Sequence, residues 1–322
     1  MSILIQKSGI LSTVQDLGRT GFRRFGINPN GAMDTRAVRL INILLGNAEN
    51  EPVVEMHFPA AQILFEEAAV IALGGADFGA KINDIVIENW RPYFIERNQV
   101  LSYTDKLTGN RAYLSVKGGF SFAKWLGSAS TNLVAEIGGV KGRSLRKDDR
   151  LFFNSRFQIP DSVFRYKISR NLIPHYSSFP TVRVVAGAEL EKLSKESKEI
   201  FESANYTVGL NSNRMGFRLS GEKLKLNEKI EMISAAVAFG TIQLLPDGQM
   251  IILMADHQTA GGYPRIAHVA AVDFPALAQL GANDKVNFQI ISIEEAEKLM
   301  LEIEKDLNLL RIGVNSKYAF ER

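Results

Sequence analysis

The sequence predicts a mainly β protein with a few helices, divided into two domains. Three observations carry that expectation. Short β-rich runs recur between Gly, Asn and Asp punctuation, only three segments have helical periodicity, and a proline-broken stretch divides the chain near its middle. The runs are Val53–Phe58, Val70–Leu73, Ile85–Ile87, Ala112–Val116, Val182–Val185, Ile251–Leu253 and Val286–Ile290. Runs spaced like this, without a helix between successive pairs, read as a barrel or sandwich and not as a parallel βαβ sheet.

The helices follow from caps and apolar spacing. Asp34 is placed to cap a helix with Ala37, Val38, Ile41, Leu44 and Leu45 on one face, ending near Gly46. A charged amphipathic helix is expected from Glu189 to Ala204, presenting Leu190, Leu193, Ile200 and Phe201. The last helix is expected from Ser292, with Glu295 completing a capping box and Ala296, Leu299, Met300 and Ile303 turned inward. Between Ile159 and Pro180, Pro160, Pro174 and Pro180 interrupt a segment with no sustained period. The expected domains are therefore residues 1–172 and 173–322, each of ordinary size.

Composition narrows the function classes. The chain has 322 residues, 46% hydrophobic and 23% charged, as a globular protein with real cores requires. A net charge of +3, from 38 basic and 35 acidic residues, carries no basic block or aromatic-basic interleaving, so neither nucleic acid nor membrane is an expected partner. The absence of cysteine excludes disulfides, thiolate zinc sites, iron–sulfur clusters and a cysteine nucleophile. The opening Met1–Lys7 lacks the long apolar core of a signal peptide, and no apolar run approaches a membrane span, so a cytoplasmic location is expected.

Chemistry concentrates in one segment. The apolar run Met250–Met254 leads directly into Asp256, His257, Gln258 and Thr259, and Gly261-Gly262-Tyr263-Pro264 closes the segment. A buried strand ending in convergent polar groups is the floor of a site, with the glycines allowing close backbone approach and Pro264 fixing the exit. Elsewhere, Gly74–Gly79 has the glycine spacing of a phosphate-binding loop, but Ala80-Lys81-Ile82 stands where Lys-Ser/Thr is needed, so a tight turn between strands is expected. Gly138-Gly-Val-Lys-Gly-Arg143 offers successive backbone N–H groups beside Lys141 and Arg143, and reads equally as an anion cradle or a glycine-rich turn. Arg19 and Arg23 flank Gly21 in a loop, where Arg19 either meets an anion or pairs with Asp16. Arg214 and Arg218 are expected on one face of a strand, one at the ligand and the other structural. His57, His175 and His268 have no metal-ligand spacing, and Ser128, Ser130 and Thr131 lack the setting of a covalent nucleophile. No metal site is expected.

The segment Asp256–Pro264 resembles the D-R-Q-T-T-G-G-Y-P signature of the 5-oxoprolinase C-subunit family, also called the KipA or allophanate-hydrolase-subunit-2-like family. Gly9–Gly21 is similar to its opening motif, and Gly31–Asp34 with Asn42 and Gly46-Asn47 to the next. Further similarities follow in order: Arg111–Leu114 with Gly118-Gly119, Leu126–Thr131, Gly138-Gly139 with Gly142-Arg143, Asn213–Gly221, Gly240–Gln243 and Pro246–Gln249. His257 and Ala260 stand where the family has Arg and Thr, Asn213 where it has an acidic residue, and Asn28-Pro-Asn30 varies its Val-Pro-x-Ser. These departures bear on substrate identity and leave the fold untouched.

The resemblance implies two β-barrel-like domains related to the cyclophilin fold, which does not bring prolyl isomerase activity with it. It implies one component of an ATP-dependent 5-oxoprolinase, opening 5-oxo-L-proline to L-glutamate with a B-type (KipI-like) and an A-type partner protein, and ATP with Mg as cofactor of the complex. Residue chemistry together with the resemblance assigns Asp256, Gln258, Thr259 and Tyr263 to catalysis, and Arg214, Gln243, His257, Gly261 and Gly262 to substrate binding. Lys141, Arg143 and Arg19 are assigned to phosphate. Two other activities are compatible with the same family. One is the carboxyltransferase component of a biotin-dependent, urea-type carboxylase, using a separate biotin carrier because no Met-Lys-Met motif is present. The other is a non-enzymatic KipA-like regulator that binds a kinase-inhibitor sister protein.

Overall fold

A computed structural model describes residues 1–154, 166–228 and 230–320, the last four without side chains. Residues 159–165 of the expected boundary segment, with Pro160, lie outside the described residues. The chain groups into two compact units. One comprises Met1–Arg19, Asp34–His175 and Glu304–Arg322, and the other Thr20–Met33 and Tyr176–Ile303.

In the first unit the strands are β1 (Ser2–Lys7), β2 (Ser12–Gln15), β3 (Val53–Met56), β4 (Gln62–Phe65), β5 (Ala69–Asp77), β6 (Ala80–Ile82), β7 (Ile85–Val86), β8 (Pro92–Ile95), β9 (Val100–Tyr103), β10 (Thr108–Val116) and β11 (Arg150–Phe152). They form a sheet ordered β11-β1-β4-β9-β6-β7 and a second ordered β2-β3-β10-β5-β8. Alternating strand residues, among them Ile3, Ile5, Ile63, Phe65, Leu114 and Leu151, meet in one core. Helix α1 (Thr35–Leu44) begins where expected, with the Asp34 carboxylate accepting the Ala37 N–H at 2.9 Å, a cap worth about 1 kcal/mol. It packs against β5 and β10. Gly74 makes that approach possible, since a Cβ there would lie 2.6 Å from Ile41 Cγ2 and 2.7 Å from the Trp90 ring. Gly74 and Gly75 are thus strand residues, and the tight turn between β5 and β6 is Phe78-Gly79, closed by Gly79 N–H to Asp77 Oδ1 at 2.9 Å.

The second unit contains β12 (Thr181–Ala186), β13 (Tyr206–Val208), β14 (Gly216–Ser220), β15 (Ala235–Ala236), β16 (Thr241–Leu244), β17 (Met250–Leu253), β18 (Ala260–Gly261), β19 (Arg265–Val269) and β20 (Lys285–Ile290). Seven of them close into a barrel, β12-β19-β16-β17-β14-β13-β20, and β15 pairs with β18. Closure leaves none of the seven as an open edge. Inward residues such as Val184, Phe217, Ile242, Ile252 and Phe288 fill the barrel core, where Phe201 of helix α2 (Lys195–Ser203) stacks on Phe288 at 5.1 Å.

Three helical expectations are corrected. The single helix from Glu189 to Ala204 is two pieces, a 3-10 turn at Leu190–Lys192 and then α2, because Leu193 is extended and Ser194 caps α2 through the Ser197 N–H at 3.1 Å. A short helix, α3 (Phe274–Ala278), with Pro275 in its first turn, adds a fourth to the three expected. Helix α4 (Ile293–Phe320) starts at the expected cap, with Ser292 Oγ accepting from Glu295 N–H at 3.1 Å, and runs 28 residues. Of its expected inward residues Ile303 is buried while Ala296, Leu299 and Met300 are half-buried, and Leu307 one turn further on is buried as well. Among the described residues no helix is long and apolar enough to cross a membrane.

Candidate functional site

The barrel of the second unit carries a cleft of about 560 Å³ on the outer face of β14, β17 and β16. Strand alternation puts it there. Phe217, Ile252 and Ile242 point into the core, so their neighbours Gly216, Arg218, Ile251, Leu253 and Gln243 face outward and line the cleft. Asn213, Met215, Gln258 and Tyr263 also line it. A second cleft of about 640 Å³ is lined by Lys223–Leu226, Met232, Gly262 and Pro264, and Leu245, Pro246, Asp247 and Tyr263 belong to both. Of the site residues expected from sequence, Gln243, Gln258 and Tyr263 therefore meet at one cleft and Gly262 at the other.

Asp256 and Arg214 meet each other instead. Arg214 Nε donates to Asp256 Oδ2 at 3.0 Å and Nη2 to Oδ1 at 2.9 Å, with both side chains 7% exposed. The same Nη2 donates to Gly31 O at 2.5 Å, and Asn30 Nδ2 donates to Asp256 Oδ1. Backbone bonds run alongside, from Asp256 N–H to Arg214 O at 2.8 Å and from Met254 N–H to Met215 O at 3.0 Å. The result is a clasp that ties the loop at residues 30–31, the loop before β14 and the loop after β17 into one charge-assisted network. The expectation that Arg214 and Arg218 share a strand face is corrected here. Arg214 precedes β14 and is buried in the clasp, whereas Arg218 is an exposed, outward-facing strand residue.

The rest of the signature is arranged around this. His257 is buried and its Nδ1 donates to Gln258 O; burial, reinforced by Arg23, holds its pKa below the usual imidazole value. Thr259 accepts the Val237 N–H through its carbonyl at 3.2 Å. Gly261 pairs with Ala235, and a Cβ on it would lie 2.6 Å from Gln243 Nε2 and 3.4 Å from Gln258 Nε2. The expected close approach at this glycine is thus to the chain's own two amides. His268 Nδ1, on β19, shares a hydrogen bond with Thr241 Oγ1 at 3.1 Å, the same hydroxyl oxygen accepts the Ala238 N–H, and burial lowers the His268 pKa too.

The three cations assigned to phosphate lie in the first unit. Arg19 is buried, donates through Nη2 to Ser130 O and lies over the Trp125 ring at 5.3 Å. Arg143 forms two parallel hydrogen bonds to Asp149, at 2.7 and 2.8 Å. Lys141 is exposed, with no ion partner among the described residues. Three of the cradle's N–H groups are internally bonded: Gly139 to Ala129 O, Gly142 to Gly138 O and Arg143 to Val140 O. Asp16 accepts from Ser128 Oγ and Ser130 Oγ at 2.6 Å, Ala129 N–H at 2.6 Å and Gly18 N–H at 2.8 Å. Among the described residues no group of three or more His, Cys, Asp or Glu side chains is placed to hold a metal.

Sequence reasoning missed Asn30, whose share in the clasp is foreshadowed only by its place in the Asn28-Pro-Asn30 variation, and Met215, which reaches the cleft from the turn before β14.

Residues 25–290 match the family model described as carboxyltransferase domain, subdomain A and B. The chain is 39% identical to the C subunit of 5-oxoprolinase from Haemophilus influenzae, over 95% of this chain and 96% of that protein. It is 36% identical to the C subunit of 5-oxoprolinase from Escherichia coli, over 91% and 93%. Among solved structures, the urea carboxylase of Kluyveromyces lactis superposes with a TM-score of 0.90 at 29% identity, covering 96% of this chain, which spans only 29% of that longer one. The match to a carboxyltransferase model over most of the chain and the near full-length similarity to these two bacterial proteins place it: the chain belongs to the 5-oxoprolinase C-subunit family.

Proposed function

We propose that the chain is one component of an ATP-dependent 5-oxoprolinase, acting with B-type and A-type partner proteins to convert 5-oxo-L-proline to L-glutamate. The observation that carries this is the 39% identity to a protein named as the C subunit of 5-oxoprolinase, with 96% of that relative covered. A five-membered lactam resists hydrolysis. Moving the γ-phosphoryl group of ATP to the lactam oxygen releases ADP and makes the ring carbon electrophilic; one water adds to that carbon, the C–N bond opens as the nitrogen takes a proton, and a second water releases phosphate from the resulting acyl phosphate to leave the carboxylate. Such chemistry needs charge stabilisation on the phosphoryl group and a fixed carboxylate. We assign ATP and Mg to the partner proteins, because Arg19 and Arg143 are engaged within this chain and only Lys141 of the three cations stands ready. Asp256, held by Arg214 and Asn30, acts in this reading as an orienting acceptor that keeps the loops of the barrel mouth in place, and Gln243, Gln258 and Tyr263 are the side chains that meet substrate.

The test is co-purification with the two partners followed by an ATP-dependent glutamate assay. The assembly is expected to turn over 5-oxo-L-proline and the chain alone to show no turnover; turnover by the chain alone defeats the shared-assembly reading, and an inactive assembly defeats the substrate. A second reading, carboxyl transfer from a separate biotin carrier, is supported by the carboxyltransferase family model and the urea carboxylase superposition. Carboxyl-group uptake from a carboxylated biotin domain in the presence of this chain would favour it.

A further inference from the structure

We propose that the outward-facing row Arg218–Ile251–Gln243 is the seat of a small cyclic amide bearing a carboxylate, with Arg218 anchoring the carboxylate and Gln243 accepting the ring N–H. The proposal rests on the 5-oxoprolinase reading and names the contacts that reading needs.

Register makes the row. Arg218 on β14 and Gln243 on β16 both stand opposite Ile251 on the strand between them, and cross-strand partners share a face. At about 4.8 Å per strand spacing, their Cα atoms are about 10 Å apart across an apolar floor. That span suits a five-membered ring lying on Ile251 with a polar group at each side. Gly216 preserves the floor, since a Cβ there would lie 2.7 Å from Ile251 Cδ1.

Each end of the row is chemically unfinished. Arg218 is exposed, and among the described residues its guanidinium makes no ion pair or hydrogen bond; its backbone alone is used, in bonds with Ser212 and Gly209. Arg214, the other candidate clamp, has its guanidinium on Asp256 and Gly31. Gln243 is 1% exposed, yet its Oε1 has no hydrogen-bond partner among the described residues, and Nε2 reaches only Tyr263 O at 3.5 Å. A buried carbonyl left without a donor is a standing cost that a ligand N–H removes. Gln258 and Tyr263, which share the cleft, have exposed side chains with no hydrogen-bond partner among the described residues, so they turn aside to admit a ligand without breaking a bond. Asp247, the carboxylate in the same cleft, accepts the Gln249 N–H at 3.0 Å and is thereby held to its own turn.

The experiment compares wild-type, Arg218→Gln and Gln243→Met chains in the assembly with both partners, with melting curves to confirm folding. For 5-oxo-L-proline, Arg218→Gln is expected to raise KM by about 10- to 100-fold with kcat within about threefold, as loss of uniform binding requires. Gln243→Met is expected to raise KM about tenfold. The inhibition constant of 2-pyrrolidone, which lacks the carboxylate, is expected to be unchanged by Arg218→Gln and weakened by Gln243→Met. Active assemblies with unchanged KM in both variants overturn the seat and leave the functional reading standing. An inactive wild-type assembly overturns that reading. The seat then stands if calorimetry shows 5-oxo-L-proline binding to the chain with loss in Arg218→Gln, and falls if no binding is found.

Discussion

Each unit of the chain fixes its loops around a buried carboxylate, and the two do so by opposite chemistry. Asp16 in the first unit is surrounded by neutral donors, two serine hydroxyls and two backbone N–H groups. Asp256 in the second is held by a guanidinium through two parallel bonds and by one amide. Neutral donors distribute the stabilisation over several modest bonds, each replaceable in part by a rotating hydroxyl. A buried ion pair concentrates it, because removing one charge strands the other in low dielectric. The clasp in the second unit is accordingly the more brittle device, and it borders the cleft assigned to substrate.

Asparagine substitutions break the comparison most severely. Asp256→Asn keeps shape but leaves Arg214 buried without its anion, and is expected to destabilise by about 3–5 kcal/mol. Asp16→Asn exchanges one acceptor oxygen for an NH₂ facing the fixed Ala129 N–H, and is expected to cost about 2–3 kcal/mol because the serine hydroxyls can reorient. Urea denaturation of the two variants checks both the values and their order. Equal losses, or the reverse order, would show that burial of charge is not what separates the two sites.

Acid should act on the second unit first. Burial depresses the pKa of His257 and His268 below the usual 6.5, so the unfolded chain takes up their protons before the folded one does. Stability from these groups is complete above about pH 6.5 and is lost as pH falls through their folded values. Carboxylates held low by arginine hydrogen bonds, Asp149 by Arg143 and Glu304 by Arg39, contribute their loss only below the ordinary carboxylate range. Urea midpoints measured from pH 8 to 5 are expected to fall, by less than in either asparagine variant, and the fall should shrink in His257→Gln and His268→Gln chains. A slope unaltered by both substitutions would place the acid-sensitive groups elsewhere.

Much of this fold was legible because its signals are local. Asp34 caps α1 as read, and each of the seven β-rich runs lies in or over a strand, since alternation and capping depend on residues a few positions apart. The break at Ser194 was readable in principle: a serine three residues before another hydroxyl is a better cap than a helix interior. The site was less legible. Arg214 and Asp256 are 42 positions apart, and nothing local distinguishes a clasp from two separate ligand groups. Arg218 lay in view through the alternation Phe217-Arg218-Leu219, whereas the unpartnered carbonyl of Gln243 is visible only once β16 has been placed beside β17.

The smallest effect sharpens the comparison by holding the chemistry constant and varying only burial. Arg143 and Asp149 repeat the two-bond guanidinium–carboxylate pairing of Arg214 and Asp256, but their side chains are 27% and 13% exposed against 7% and 7%. Water and salt reach the outer pair, so its Coulombic gain is screened and its breakage strands no charge in low dielectric. Arg143→Gln is therefore expected to cost about 0.5–1 kcal/mol, diminishing in high salt. Because Arg143 is occupied by Asp149, the substitution is also expected to leave the KM for ATP of the assembly within about twofold, where loss of a direct phosphate contact would raise it by about tenfold or more. Steady-state kinetics at varied ATP, beside urea melts at low and high salt, tests both halves: a large rise in KM for ATP returns Arg143 to the phosphate site, and a loss of about 3 kcal/mol or more would mean that exposure is not what makes one pair expendable and the other not.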